Sequence, residues 1–326
     1  MTRWGILGCG KIARKFASDL RLIKDAELVA IGARELHTAD DFAREFPAKH
    51  IHESYEALVK NPEVDVIYIA TPHGYHHEHT MLCLKHKKAV LCEKAFAMNT
   101  RQATEMITFA KAQGVFLMEA FWTKFLPHYQ LVKQMIANGK IGSIKYITAE
   151  FGYIPASPVP QRMFDPRLGG GSLYDIGVYP VFLALDILGR PDNINAGMTK
   201  ASTGIDEQCA IRFDYKNGVM AQLFSTFAAN LAGAAEIVGD KGRIRFTNSF
   251  HAPWTSLEFY GSVDSKESIP FEKTVGFGYE YEARHVTECL QNGLIESPFL
   301  THAQSLLIIE TLDLIREKAG IYYPMD

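Results

Sequence analysis

Gly8-Cys9-Gly10-Lys11-Ile12-Ala13 follows an apolar run at residues 3–7 and opens a helical pattern at 11–20. The spacing is GxGxxA, and each small residue has a task in a strand-to-helix turn. Gly8 permits the tight turn, Gly10 lets the backbone approach a pyrophosphate, and Ala13 allows the helix to pack closely on the strand. The unpaired amides at the start of the helix then face the phosphates, which makes Gly8, Gly10, Lys11 and Ile12 candidate cofactor contacts. The competing reading is a glycine-rich turn that binds nothing; the strand before it and the helix after it argue against that.

Working outward, short apolar runs at 27–33, 65–70, 88–92 and 115–118 alternate with helical patterns at 36–45, 53–60, 75–86 and 100–113, with Asn99 and Thr100 as candidate caps. This is the order of βαβ units and predicts a doubly wound parallel sheet, a Rossmann domain, over residues 1–122. Beyond it the rhythm changes. Runs at 143–151, 207–215, 219–227, 235–238 and 243–247 read as strands joined by turn residues such as Lys216-Asn217-Gly218 and Gly239-Asp240-Lys241-Gly242. Helical patterns at 171–188, 280–292 and 301–319 complete an expected α+β domain with an antiparallel sheet over 123–326. Residues 152–170, with four prolines, read as a long loop of the kind that covers substrates.

Composition sets the class. The 326 residues are 47% hydrophobic and 22% charged, enough to bury roughly 75% of the unfolded surface, which excludes disordered, collagenous and coiled-coil readings. Lys plus Arg total 34 against 37 Asp plus Glu, a formal charge of -3, so no nucleic-acid partner is expected. No apolar run approaches the ~20 residues of a spanning helix, the stretch 178–188 being broken by Pro180 and Asp186, so no membrane association is expected. The chain enters its first motif without a leader, and its five scattered cysteines lack a CxxC pair; both suit a cytoplasmic protein with reduced thiols.

Other segments carry chemistry. The second strand ends Gly32-Ala33-Arg34, and an Arg at that point accommodates a 2′-phosphate, favouring NADP over NAD; Glu35 could instead take the acid's role toward a ribose hydroxyl. Thr71-Pro72-His73-Gly74-Tyr75-His76-His77-Glu78-His79 follows the third strand. It reads as a loop and helix start beside the cofactor rather than a metal site, since no HExxH spacing or carboxylate cluster accompanies it. Glu93-Lys94 ends the fourth strand on the ligand-binding edge of such sheets, where the ammonium of Lys94, oriented by Glu93, would stabilise negative charge on a substrate oxygen. A surface Glu-Lys pair is the alternative. Asp175 and Tyr179, at i and i+4 after Gly169-Gly170-Gly171, share a helix face and form a usable acid-base pair, a phenol of pKa about 10 being able to deliver a proton to an alkoxide. Trp122, Phe151, Phe164 and Trp254 suit the apolar face of a pyranose or a cyclic diol, and core packing explains them equally well.

Gly8 to Ala13, Thr71 to His76, Glu93-Lys94 and Gly169 to Tyr179 occur together in the order and spacing of the glucose-fructose oxidoreductase, inositol dehydrogenase and related (Gfo/Idh/MocA) family, which the whole chain resembles. Residues 118–125 and 175–179 are most similar to the branch containing dimeric dihydrodiol dehydrogenases and NADP-dependent xylose dehydrogenases. The resemblance implies a nicotinamide cofactor held between two domains, with Lys94 and Tyr179 catalytic and Trp122 near nicotinamide and substrate; Asp175 and Phe151 are read from the residues themselves as further substrate-side candidates. It further implies hydride transfer on a sugar, a trans-dihydrodiol or a small dicarbonyl, and a homodimer built through the second domain's sheet. A cofactor-binding sensor on the same fold is the alternative. One departure stands out: the family's Glu-Lys-Pro is Glu93-Lys94-Ala95 here, which leaves the aim of Lys94 open.

Overall fold

A computed structural model describes residues 1–261 and 265–326. The N-terminal half builds β1 (Thr2–Leu7), α1 (Lys11–Leu20), β2 (Ala26–Gly32), α2 (Leu36–Glu45), β3 (His50–His52), α3 (Tyr55–Lys60), β4 (Val66–Ile69), α4 (His76–Lys85), β5 (Ala89–Glu93), α5 (Thr100–Gln113) and β6 (Leu117–Ala120). The six strands are parallel in the order β3-β2-β1-β4-β5-β6. β4 and β5 are buried throughout, as continuous apolar runs covered on both faces must be. Ser54 and Asn99 cap α3 and α5, accepting from the amides of Ala57 and Gln102.

The following segment supplies α6 (Pro127–Ala137), β7 (Ile144–Gly152), a π-helical turn (Leu173–Gly177) running into α7 (Val178–Leu188), then β8 (Asn193–Lys200), β9 (Asp206–Asp214), β10 (Met220–Thr226), β11 (Ala235–Gly239), β12 (Arg243–Phe246), β13 (Leu257–Tyr260) and β14 (Lys266–Ile269). Their sheet runs β14-β13-β12-β11-β7-β10-β9-β8. Among the described strands only β7 and β10 pair in parallel, so the sheet is mostly, not wholly, antiparallel. Alternation buries Ile147, Ala149, Ile211, Phe213, Ala221 and Leu223 on one face, with α7 packed against β7 and β10. The segment Pro166–Leu188 corrects the hydropathy expectation: Pro180 and Asp186 do not prevent it from being long and apolar enough to span a bilayer, at mean hydropathy 1.4. In the fold, 83% of that window is buried. Asp186 is tolerated there because Lys124 Nζ (2.8 Å), Lys133 Nζ (2.9 Å) and the Tyr129 hydroxyl (2.8 Å) all donate to its carboxylate.

α8 (Tyr279–Gln291) and α9 (His302–Ala319) end the chain. By contacts the molecule divides into two units, residues 1–122 with 275–306, and residues 123–274 with 307–326. This corrects the division of the chain at 122 into two contiguous domains: residues 275–306 belong with the first unit. The reason lies at Asp19, a buried residue near the end of α1, whose carboxylate accepts from the amides of Phe277 (2.9 Å) and Tyr279 (2.8 Å). It answers the start of α8, whose own N-cap, Gly278, has no side chain to do so. β3, β8, β13, β14 and α6 were not anticipated. β3 has three residues, and β8 and β14 are edge strands with few buried residues, β14 being polar throughout but for its last residue.

In the first unit α8 brings Glu282 into a buried group of acids with Glu93 on β5 and Glu119 on β6. The Tyr68 hydroxyl donates to Glu93, and the Phe96 amide donates to Glu119 at 3.2 Å. Burial pushes Glu119 up to about 7 and, together with Glu93 and Glu119, raises Glu282 well above the carboxylate range. An acid raised in this way stabilises the fold while protonated; the contribution is complete below its unfolded value of 4.5 and is lost as pH rises through 7. Glu119→Gln, which stays neutral, is therefore expected to gain on the wild type by up to about 3 kcal/mol between about pH 5 and about pH 8. Urea unfolding at the two pH values checks this; an unchanged difference between the proteins refutes it.

Candidate active site

The β1–α1 turn is built as its glycines suggest. Gly8 lies at φ +97°, and a Cβ there would sit 3.0 Å from the Thr71 methyl and 3.2 Å from the Ala70 carbonyl oxygen. The N-cap of α1, Gly10, offers no side-chain cap, the first turn holds no acid, and a Cβ at Gly10 would meet nothing within 4 Å. The first amides of α1 thus open onto free space with their positive end uncompensated, which fits a pyrophosphate. Lys11 and Ile12 form that first turn. The Cys9 thiol beside it is pushed up to about 11 by burial and is not a thiolate.

At the end of β2, after buried Ala33, Arg34 is exposed and its guanidinium lies 5.9 Å from the Tyr75 ring centre. Tyr55 lies close enough to Arg34 to feel its charge, and the His79 ring packs on both Tyr55 (4.7 Å) and Tyr75 (5.6 Å). Glu35, the competing residue, lies 3.5 Å from exposed His37. Arg34 rather than Glu35 therefore stands in a prepared setting, and Tyr55, Tyr75 and His79 are the members that strand-end logic did not reveal. Burial pushes His79 down to about 4, leaving it a neutral partner for the Thr71 hydroxyl at 3.0 Å.

Thr71, Pro72 and His73 follow β4, and Trp122 follows β6, on the same edge of the parallel sheet. The Trp122 ring stacks on Tyr279 at 4.7 Å with planes 5° apart. Two expectations need correction. His76 is fully buried, its Nδ1 2.8 Å from the Ala95 carbonyl and its Nε2 2.8 Å from the Thr71 carbonyl. It braces the backbone of two loops, and burial pushes it down to about 4. Glu93 is a core residue that accepts from the Tyr68 hydroxyl, not half of a surface Glu-Lys pair. Lys94 itself is partly exposed at the end of β5, and the Lys94–Ala95 peptide is cis. The histidines of this segment are engaged with protein groups, His77 with Glu105 at 2.9 Å among them. No set of three His, Cys, Asp or Glu among the described residues could hold a metal.

In the second unit the π-turn carries Asp175, and Tyr179 lies in the first turn of α7. Both are buried. Asp175 accepts from Arg162 Nη1 at 3.1 Å and from the Tyr153 hydroxyl at 3.4 Å, fastening the proline-rich loop to the turn. Tyr179 packs on His251 (4.7 Å) and Phe151 (5.9 Å), which stack on one another at 4.1 Å. Phe164 joins Phe227, Met163, Ile176 and Tyr153 in an adjoining apolar cluster, so packing alone accounts for it. Trp254 is 51% exposed. Tyr153, Arg162 and His251 were not read from the sequence; they lie in irregular or loop-flanking segments with no periodicity to flag them.

Comparison with known proteins matches this architecture. Residues 2–121 fit the model of the oxidoreductase family with an NAD-binding Rossmann fold, and residues 129–245 the GFO/IDH/MocA C-terminal domain. The chain is 38% identical over 332 residues to trans-1,2-dihydrobenzene-1,2-diol dehydrogenase of Xenopus tropicalis, covering 99% of each, and 34% identical to that of Homo sapiens, covering 99% of this chain and 98% of the relative. Among solved structures it resembles a variant of KijD10, a 3-ketoreductase from Actinomadura kijaniata in complex with TDP-benzene and NADP, at TM-score 0.89 and 27% identity with 99% of each chain covered. An aldose-aldose oxidoreductase from Caulobacter crescentus shares the fold at TM-score 0.89 and 20% identity, covering 98% of this chain and 97% of that one. The sequence of motifs, the two sheets and these matches along the full length establish the chain as a member of the Gfo/Idh/MocA family of NAD(P)-dependent oxidoreductases.

Proposed function

We propose that the protein is an NADP-dependent dehydrogenase acting on a carbinol of a cyclic diol or sugar, trans-dihydrodiols being the substrate class named for its relatives. The observation that carries the reading is the open, uncapped start of α1 behind Gly8, with Arg34 prepared at the end of the neighbouring strand. The amides of Lys11 and Ile12 would hold the pyrophosphate, and Arg34 the 2′-phosphate. When bound, the nicotinamide supplies or accepts the hydride. Tyr179 exchanges the proton of the substrate hydroxyl, its ring fixed by His251 and Phe151. Lys94 stabilises negative charge on that oxygen. Asp175, with Tyr179 the proposed acid-base pair, also anchors Arg162 and Tyr153 of the loop.

For the partner, we assign the exposed face of the eight-stranded sheet to a second copy of this chain. Met220, Gln222, Ala210 and Arg212 lie open there, around a concavity of about 480 Å³ lined in part by Thr148, Glu150, Arg212 and Gln222. That hollow is a feature of the outer face; Tyr179 and Asp175 belong to the segment packed on the other face. Five free cysteines accord with a cytoplasmic setting, which we also propose.

Turnover with NADP and a panel of trans-dihydrodiols, sugars and dicarbonyls tests the reading. Tyr179→Phe is expected to lower kcat about 10² to 10⁴-fold with little change in NADPH affinity measured by fluorescence; unchanged turnover removes Tyr179 from the chemistry. Arg34→Ala is expected to weaken NADP about 10 to 100-fold and leave NAD unaffected, while equal loss of both cofactors would contradict the 2′-phosphate assignment. Sedimentation at micromolar concentration is expected to give a dimer, and a stable monomer overturns the second-copy assignment.

A further inference from the structure

The residues proposed to handle the proton ride on an unusual piece of backbone, a glycine turn at 169–171 leading into a π-helical turn. What fixes it lies elsewhere in the chain. Asp206, at the start of β9, is fully buried, and its Oδ2 accepts from the Leu173 amide at 2.6 Å and the Ser172 hydroxyl at 2.7 Å. It thereby answers the first donors of the π-turn as a cap would. Ser172 Oγ also lies 2.9 Å from Ser225 Oγ on β10. Gly171, at φ +113°, passes so close that a Cβ would stand 2.4 Å from Asp206 Oδ1. From the other side the Tyr323 hydroxyl donates to the Gly170 carbonyl at 2.6 Å. Tyr323 is itself held: its ring meets Tyr174 edge-on at 5.4 Å, the Arg316 guanidinium lies over both rings, and its amide donates to Asp326 at 2.8 Å.

We propose that Asp206 and Tyr323 are positioning residues for the reaction, clamping the glycine turn and the start of the π-turn so that Asp175 and Tyr179 are presented in one orientation. The inference rests on the site reading above. Neither residue touches the reacting atoms: Asp206 is enclosed, and Tyr323 acts through the Gly170 carbonyl. A clamp matters because displacement of a reacting group by about 1 Å can cost about 10²-fold in rate.

The test uses the full chain with NADP and trans-1,2-dihydrobenzene-1,2-diol, comparing Asp206→Asn, Tyr323→Phe, Tyr179→Phe and the double variant Asp206→Asn with Tyr179→Phe. Asp206→Asn is expected to lower kcat about 10²-fold and Tyr323→Phe by about 3 to 10-fold, with KM and NADPH affinity held within about two-fold. If Asp206 acts through Tyr179, the double variant turns over no more slowly than Tyr179→Phe alone. A merely structural role would add its loss to that of Tyr179→Phe, and such additivity overturns the proposal. Tyr323→Phe removes one hydroxyl and carries the test alone should Asp206→Asn not fold. If Tyr179→Phe is crippled while Asp206→Asn and Tyr323→Phe keep wild-type turnover, the clamp is refuted and the site reading stands. If Tyr179→Phe keeps full turnover, the site reading falls and the clamp with it.

Discussion

The first amides of any helix have no partner inside the helix, and the way this molecule answers each set decides what each end can do. α3 and α5 use adjacent side chains, Ser54 and Asn99. α8 and the π-turn use carboxylates brought from far along the chain, Asp19 and Asp206. α1 uses nothing: its cap is Gly10, and no acid lies in its first turn. Where a carboxylate has been brought in, the helix start is a fixed structural joint. At α1, where none has and the glycines leave room, the same donors are left to a ligand, and the field of the helix favours an anionic one.

Buried acids occur in both units, at such joints and elsewhere. At Asp186 burial would raise the carboxyl, but Lys124 and Lys133 pull it below the usual range. Asp206 has neutral donors, and burial pushes it up to about 6. In the first unit Glu119 and Glu282 are raised further, each by burial first and then by like charge nearby. The buried acids are thus held in two ways, Asp186 by ion pairing and Asp206, Glu119 and Glu282 by burial that favours the protonated form.

Much of this was legible in the residues, and the limits have physical causes. The Rossmann half declared itself because parallel strands covered on both faces leave unbroken apolar runs, and because the turn needs Gly8 at positive φ while Gly10 leaves the helix start open. The edge strand β14 is polar but for its last residue, has no buried residue and carries no alternation. β8 does alternate, Ile194, Ala196 and Met198 against polar neighbours and glycine, but with small residues and only Ile194 buried the pattern is faint. Whether Glu93 orients Lys94 or forms a surface pair with it stayed open in the sequence, which gives neighbours but not the burial of each side chain. Tyr55 and His79, near Arg34, and His251, near Tyr179, are joined to those residues only by folding. The residues nominated from motif spacing were largely those whose backbone does the work, whereas residues that act through side-chain packing remained hidden.

Asp19 and Tyr279 are joined across 260 positions of sequence. The amide groups that α1 helps to satisfy are therefore synthesised long after α1 itself, and closing so wide a loop is slow compared with forming the local βα contacts. Neither unit is one continuous stretch of chain, so a gene fragment ending at residue 122 would encode a sheet whose covering helix is missing, with Phe16 and Tyr68 deprived of Tyr279 and its neighbours. Grafting either unit onto another scaffold would require transplanting its two separate chain segments together.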